Sequence, residues 1–244
     1  AEYELFKNFK LRGDLSVASY TGGSNIFSPT YAQDDFSVYG SNLYATLNTN
    51  TSDNSNTSLN FRADYDWKQD GHHLYAMGGI GFDRYSNKGE SHTYEEFPDN
   101  EILTDPGSAA RDTYYTYFRT DQGLNSIYSR LSYGYLDRYL AEANFRTDES
   151  SKFGPGNKRA YFPALSLGWR MNKEKFMQAA SWLNDLKLRL SWGNTGSTNI
   201  DNFLYRQFFV RGSNDLWGGK PAIVLDPNLP NRNVQWEKTR EYNA

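Results

Sequence analysis

Apolar and polar side chains alternate with a period of two along much of this chain. The clearest run is 139–192, where Ala141, Ala143 and Phe145 alternate with Glu142, Asn144 and Arg146. Leu165, Leu167 and Trp169 then alternate with Ser166, Gly168 and Arg170. Leu186, Leu188, Leu190 and Trp192 alternate with Lys187, Arg189 and Ser191. Successive residues of a strand face opposite sides of a sheet, so each run predicts a strand with one apolar and one polar, often charged, face. The pattern recurs at 5–18 (Phe9, Leu11, Leu15 and Val17 opposite Lys10, Arg12, Asp14 and Ser16) and at 57–67 (Leu59, Phe61, Ala63, Tyr65 and Trp67 opposite Asn60, Arg62, Asp64 and Asp66). It recurs at 73–86, with Ala76, Gly78, Ile80 and Phe82 on one face, and at 125–136, where Leu131, Tyr133 and Tyr135 oppose Arg130, Ser132 and Gly134. With 234–244 these runs make about eight long strands and an all-β chain.

Such a sheet stands either between lipid and water or between a protein core and water. Strand length bears on the choice. About 11 residues at ~3.3 Å each, tilted by roughly 45°, cross ~25 Å, the apolar band of an outer-membrane barrel. Soluble strands are commonly about 5–6 residues. The connections bear on it too. Long ones (19–56, 87–122, 195–233) take turns with short ones (68–72 with its Asp70-Gly71 hairpin signal, and Asp137-Arg138), with 150–160 and 171–183 of intermediate length. Short periplasmic turns and long outer loops give this asymmetry in membrane barrels. Residues 171–183 read as a short amphipathic helix, and 36–48 as candidate extra strands projecting beyond a membrane.

Composition narrows the field. Nineteen Tyr, 15 Phe and 6 Trp fit bilayer interfaces, sugar-binding faces and β-rich cores alike. The mean hydropathy of −0.79 is that of a soluble chain, yet a barrel with a polar lumen and polar loops has the same average. No run approaches the ~20 apolar residues of a spanning helix. The absence of cysteine excludes disulfide scaffolds, thiol nucleophiles and cysteine metal sites. A net charge of −3 without a basic tract gives nucleic-acid binding no support. No apolar leader core opens the chain, which predicts a mature protein or an internal piece of a longer one.

Ordered motifs go further. Asp137-Arg138-Tyr139-Leu140, Arg146-Thr147-Asp148-Glu149-Ser150-Ser151-Lys152-Phe153-Gly154, Tyr161-Phe162-Pro163 and Leu167-Gly168-Trp169-Arg170 resemble the SusC/RagA family of TonB-dependent outer-membrane transporters of Bacteroidetes. The match continues through Phe176-Met177, Trp182-Leu183, Leu186-Lys187-Leu188-Arg189 and Gly193-Asn194-Thr195-Gly196. Asp226-Pro227-Asn228-Leu229, Trp236-Glu237-Lys238-Thr239 and Glu241-Tyr242-Asn243 complete it. The resemblance implies an antiparallel transmembrane β-barrel in the cell outer membrane that imports glycans or peptides, energised through TonB and lidded by a SusD-like surface lipoprotein. Such barrels have ~22 strands around a plug. The resemblance therefore implies that 1–244 is part of the barrel domain, an open, curved sheet without the plug, the TonB-contacting box or the remaining strands. Two rival readings are a soluble carbohydrate-binding β-sandwich and a passive porin-like barrel.

No catalytic constellation stands out, so no enzyme activity and no cofactor are expected. His72 and His73 share a tight turn and, with His92, lack zinc-ligand spacing. Asp99, Glu101 and Asp105 gather carboxylates that could hold calcium or simply be solvated. Lys10, Arg12, Arg62, Asp64, Arg146, Lys187 and Arg189 would face the lumen, lining a solute path or merely solvating the wall. Tyr114, Tyr115, Tyr117, Phe118 and Trp217 are the candidate substrate contacts, expected in outer loops, where they could equally pack against the loops or the lid. Trp67, Trp169 and Trp192 are expected at strand ends in an interfacial girdle, with Trp182 beside them.

Overall fold

The structure, a computed structural model, describes residues 1–31, 44–177, 182–217 and 220–244, and the side chains of these except 210–222. Nine strands form one antiparallel sheet in chain order: β1 (Glu2–Phe6), β2 (Phe9–Ser28), β3 (Thr46–Gln69), β4 (His72–Glu95), β5 (Arg111–Tyr135), β6 (Tyr139–Ser150), β7 (Arg159–Arg170), β8 (Lys187–Ser197) and β11 (Glu237–Asn243). β9 (Phe209–Trp217) and β10 (Lys220–Leu225) pair as a separate ribbon. This is the all-β chain that the alternation predicts and the antiparallel, open sheet that the resemblance implies.

Three local expectations change. The run at 5–18 is not one strand but the β1–β2 hairpin, turning at Asn8 with φ 70°. Asn enters this left-handed region more cheaply than most side chains, so the turn needs no glycine. The stretches 19–56 and 87–122 are not wholly loops, because β2, β3, β4 and β5 run for 20, 24, 24 and 25 residues. The outer halves of β2, β3 and β4 are rich in Ser, Asn, Thr and Gly, and that of β5 in Tyr and Thr, without the strict apolar alternation of the inner halves. Of 36–48, residues 36–43 lie outside the described residues, while β3 begins at Thr46. In place of a helix at 171–183, the described residues form two 3-10 turns, Met171–Lys173 and Lys175–Met177. Glu174 between them is extended (φ −78°, ψ 149°), which interrupts any helical run.

The chain divides into two compact units. The first comprises Ala1–Ser16, Ser58–Asp83 and Gln122–Ala244. Its register aligns apolar residues across the strands. Leu131, Ala143, Leu165, Trp192 and Tyr242 form one row, and Tyr133, Ala141, Leu167 and Leu190 the next. These rows are exposed: Leu165 is 54%, Leu167 60%, Leu188 48% and Leu190 49% accessible. On the opposite face Asp64, Ser126, Asp148 and Ser150 are withdrawn from solvent, together with the apolar Ala160 and Phe162 at the outer end of β7. The polarity is thus the reverse of a sandwich, whose Leu186/Leu188/Leu190 face would pack on a second sheet. The soluble sandwich is set aside on this ground. At one end of this unit the strands are joined by tight turns: Asp70 and Gly71 (φ 49° and 81°), and Leu136 and Asp137 (φ 51° and 54°). Two consecutive positive φ values match the right-handed twist of the strands they connect.

The second unit comprises Val17–Thr57 and Arg84–Asp121. Ala45 and Leu47 are buried in it, and Phe27 meets Phe97 edge-on at 5.1 Å. Its connection between β4 and β5 is ordered by side chains. Asp99 accepts from the backbone N–H groups of Glu101, Ile102 and Leu103 at 2.8, 2.6 and 3.1 Å. Asp105 accepts from Gly107 N at 2.9 Å and caps the 3-10 turn Pro106–Ser108.

A cation in the middle of the apolar face tests its orientation. In the full-length protein folded into vesicles, Leu165→Arg should cost about 2–4 kcal/mol of unfolding free energy, the penalty for such a charge near the bilayer midplane. Ser166→Lys, one residue on and facing the other way, should cost less than about 1 kcal/mol. Equal costs in urea titrations would contradict the assignment of faces.

Candidate functional site

On the polar face of the first unit, the charged residues singled out in the sequence fall into three groups. Lys10, Arg12 and Asp64 line a basin of about 500 Å³ together with Glu4, Asp66 and Tyr75. Lys10 pairs with Glu2 at 2.8 Å and Arg12 with Glu2 at 2.9 Å. Asp64, almost fully buried, accepts from Arg62 Nε at 3.0 Å and from the Tyr75 hydroxyl at 2.6 Å. Arg146 stands apart from that basin: its Nε donates to both oxygens of Asp148 at 2.9 and 2.8 Å, and its Nη2 to Ser126 Oγ at 2.9 Å. Lys187 and Arg189 form the third group, lining a hollow of about 340 Å³ with Ser132, Glu142, Ser166 and Ser191. Among the described residues, these two cations alone of the seven charged candidates enter no ion pair. The structure therefore spends most of the charged face on itself and leaves Lys187 and Arg189 available to something else.

The candidate aromatics lie not in a loop but on the outer part of β5, within the second unit. Being consecutive strand residues they split between two faces, Tyr115 and Tyr117 on one, Tyr114 and Phe118 on the other. They are not one patch. Tyr115 lies against His92 with ring centroids 4.6 Å apart, and His92 stacks on Tyr94 at 5.5 Å. The Phe118 ring lies over Gly89, where a Cβ would come within 2.7 Å of it. Tyr114, Tyr115 and Tyr117 are all more than half exposed. The Trp217 side chain lies outside the described residues.

Each of the three histidines has a side-chain partner. His72 Nδ1 is 2.7 Å from the Tyr133 hydroxyl, His73 Nε2 is 2.9 Å from Asp66, and His92 Nδ1 is 3.3 Å from Asp112. Among the described residues no group of three or more potential metal ligands converges. Backbone amides occupy the Asp99 carboxylate and hold its pKa below the ordinary aspartate value.

Trp67 and Trp169 stand at strand ends beside the short turns. Trp67 stacks on His72 at 6.4 Å, and Trp169 pairs in register with Tyr139 and Leu188. Trp192 does not share this level. It sits in the middle of β8, between Leu165 and Tyr242, because β8 continues to Ser197. Trp182 is 80% exposed.

Two clusters at opposite ends of β6 and β7 escaped the pattern reading. At the outer end, Phe153, Ala160, Phe162 and Trp236 form a buried apolar cluster with Leu124, Ile200 and Val234 packed on it. Trp236 lies 5.3 Å from Phe153 and 5.5 Å from Phe162, ring to ring, and its Nε1 donates to Lys158 O at 2.9 Å. Lys152 Nζ donates to Thr198 O and Ile200 O at 3.0 and 2.9 Å, fastening the β6–β7 connection to the segment after β8. At the short-turn end, Glu174 accepts from the Tyr139 hydroxyl at 2.6 Å and from Trp169 Nε1 at 3.0 Å, with Arg138 3.5 Å away. Hydrogen bonds from Tyr139, then Trp169, with the Arg138 charge behind them, hold the Glu174 carboxyl below the usual glutamate range against the opposing effect of burial. Asp137 beside it pairs with Arg170 at 2.6 Å and with Lys173. Phe162 was findable: it is an aromatic on the polar parity of β7, out of step with Leu165 and Leu167.

Comparison with known proteins puts these clusters in context. No family model matches the chain. TonB-dependent receptor SusC of Bacteroides thetaiotaomicron is 32% identical over 84% of this chain and 20% of its own length. A TonB-dependent receptor of Formosa agariphila is 30% identical over 80% of this chain and 19% of its own length. The chain thus spans about a fifth of the length of these curated relatives. Among solved structures, the RagAB peptide transporter superposes with a TM-score of 0.86 over 99% of this chain and 26% of that chain, at 20% identity. The RagAB peptide importer in its open-open state gives 0.83, also at 20% identity.

Both clusters can be tested in the full-length protein. Trp236→Ala should destabilise the barrel by about 3–5 kcal/mol, the range for emptying a buried indole site. Trp236→Phe should lose mainly the bond to Lys158 O, about 1 kcal/mol. Hydrogen exchange at 151–158 should rise with both, and more with the alanine. For Glu174, the pKa is lowered on folding. Its contribution is therefore complete above the unfolded value near 4.5 and disappears as pH falls through the still lower folded value. Hydrogen exchange at 170–177 should accelerate on acidification in that window, and Glu174→Gln should remove that pH dependence.

Proposed function

The chain is a stretch of SusC/RagA-type TonB-dependent barrel from the outer membrane, and from that premise we propose that the full-length protein imports a nutrient solute, a glycan or a peptide, across the outer membrane. In this reading residues 1–244 form part of the barrel domain of a longer transporter. A SusD-like surface lipoprotein closes the outer face, and TonB supplies energy through a segment beyond this stretch. The role is transport rather than catalysis. The observation that carries it is the reversed polarity of the first unit, whose rows of Leu165, Leu167, Leu188 and Leu190 are exposed while Asp64, Ser126, Asp148 and Ser150 on the other face are withdrawn from solvent. A lipid-facing wall around a polar interior makes that arrangement favourable. The RagAB structures are described as peptide transporters, which supports a peptide; exposed tyrosines beside His92 offer flat rings on which a sugar also stacks.

Within this reading, solute meets Tyr115 and Tyr117, which share one face of β5, with Tyr114 on the other; Lys187 and Arg189 on the polar face of the first unit are separate candidate contacts. Phe118 is the weaker candidate, since its ring is committed to Gly89. The self-paired Lys10, Arg12, Arg62, Asp64 and Arg146 set the electrostatics of the path rather than gripping the solute.

Uptake by cells carrying or lacking the gene, measured with labelled oligosaccharides and labelled peptides, tests the proposal. One class should accumulate only in cells with the gene, and collapse of the proton gradient should stop it. Uptake that survives that collapse would favour a passive pore. Loss of a contacting ring costs about 1 kcal/mol or more at an anchor, so Tyr115→Ala or Tyr117→Ala should weaken apparent affinity about fivefold. Unchanged affinity in both would remove these tyrosines from the solute site.

A further inference from the structure

The apolar face of the first unit carries a hollow of about 380 Å³, lined by Tyr133, Tyr139, Ala141, Leu167, Trp169 and Leu188. It exists because β6 places the small Ala141 in register between Tyr133 and Leu167. Its lining is almost wholly apolar, and it opens on the face that meets lipid. Towards the short turns its wall is Tyr139 and Trp169, whose polar tips both end on Glu174. Immediately beyond stand Arg138, Arg170, Lys173 and Lys175, of which Arg138 pairs with Glu174 while Arg170 and Lys173 share Asp137, a cluster of net positive charge. Lys175 is exposed. Phe176, 64% exposed, adds an apolar ring 6.4 Å from Trp169.

An apolar hollow that runs into an excess of positive charge matches a ligand with a hydrocarbon chain at one end and an anion at the other. We propose that this is a discrete site for an anionic phospholipid of the periplasmic leaflet. One acyl chain lies over Ala141 between Leu167 and Leu188, and the phosphate sits against Arg138, Lys173 and Lys175. The short-turn end is the periplasmic end of a barrel, so the headgroup level and the cations coincide. Glu174 keeps the two wall rings upright, because its carboxylate holds both of their polar tips. The site rests on the outer-membrane placement of the chain and is indifferent to which solute is carried.

Native mass spectrometry of the full-length protein in mild detergent tests this, with phosphatidylglycerol and phosphatidylcholine of identical chains as the probes. One phosphatidylglycerol should be retained, at least fivefold in preference to phosphatidylcholine. Ala141→Phe, which fills the hollow, should cut that retention at least fivefold while the barrel keeps its heat-dependent gel shift. The double variant Lys173→Gln/Lys175→Gln should bring the two lipids to parity. Should Ala141→Phe fail to fold, phosphatidylglycerol with brominated chains decides the matter. It should quench a fluorescence component of the native protein that Trp169→Phe lacks. Equal retention of both lipids by the native protein, undiminished retention by folded Ala141→Phe, or the same quenching with and without Trp169 would each overturn the site.

Discussion

A sheet that turns its apolar side outward gives up the cohesion that an ordinary core supplies, and everything else in this structure follows from that. Leu165, Leu167, Leu188 and Leu190 are satisfied by lipid and contribute nothing by packing on another layer. In hydrocarbon, every backbone amide must also find its partner within the protein, which the strand ladders provide. What remains to fix strand against strand is the polar face. There the cohesion comes from charge-assisted hydrogen bonds such as Arg146 to Asp148 and Arg62 to Asp64. It also comes from rings laid over glycines, as where Tyr128 covers Gly79 and Phe162 covers Gly196.

The same constraint explains why the two ends of the β6–β7 pair are fastened separately. At the outer end Phe153, Phe162 and Trp236 make a small apolar core on the polar side of the sheet, where connections rather than lipid cover it. At the other end one carboxylate, Glu174, receives two ring donors that would otherwise point into an interface region with nothing fixed to bond. The motifs through which the sequence resembles SusC/RagA proteins divide between these places. Lys152-Phe153-Gly154, Tyr161-Phe162-Pro163 and Trp236 meet at one end; Asp137-Arg138-Tyr139 and Trp169-Arg170 meet at the other. They are sites of packing and fastening rather than of solute contact.

The parts of the fold that were legible in the sequence are those where lipid imposes a period of two. Alternation located the membrane-facing stretches of β3 to β8, and Asp70-Gly71 announced its own turn. Beyond the lipid both faces of a strand are wet, so β2 to β4 continue through Ser-, Asn- and Thr-rich segments, and β5 through a Tyr- and Thr-rich one, that alternation cannot distinguish from loop. For the same reason Tyr114 to Phe118 read as a loop cluster, whereas strand geometry divides them between two faces. Alternation alone put the charged candidates on one parity, but which of them are consumed by neighbours depends on register. Glu2 beside Lys10 and Arg12, or Ser126 beside Arg146, could not be paired without knowing where each hairpin turns.

The two fastenings also differ in how far the chain must travel to complete them. Glu174 is 5 residues from Trp169 and 35 from Tyr139, so that end closes as soon as the β6–β7 hairpin and its following turn exist. The bond from Trp236 to Lys158 joins residues 78 apart in the chain and waits for β8, β9 and β10 to be laid down. The longer separation costs more chain entropy to close, so the outer fastening is the more demanding of the two to form.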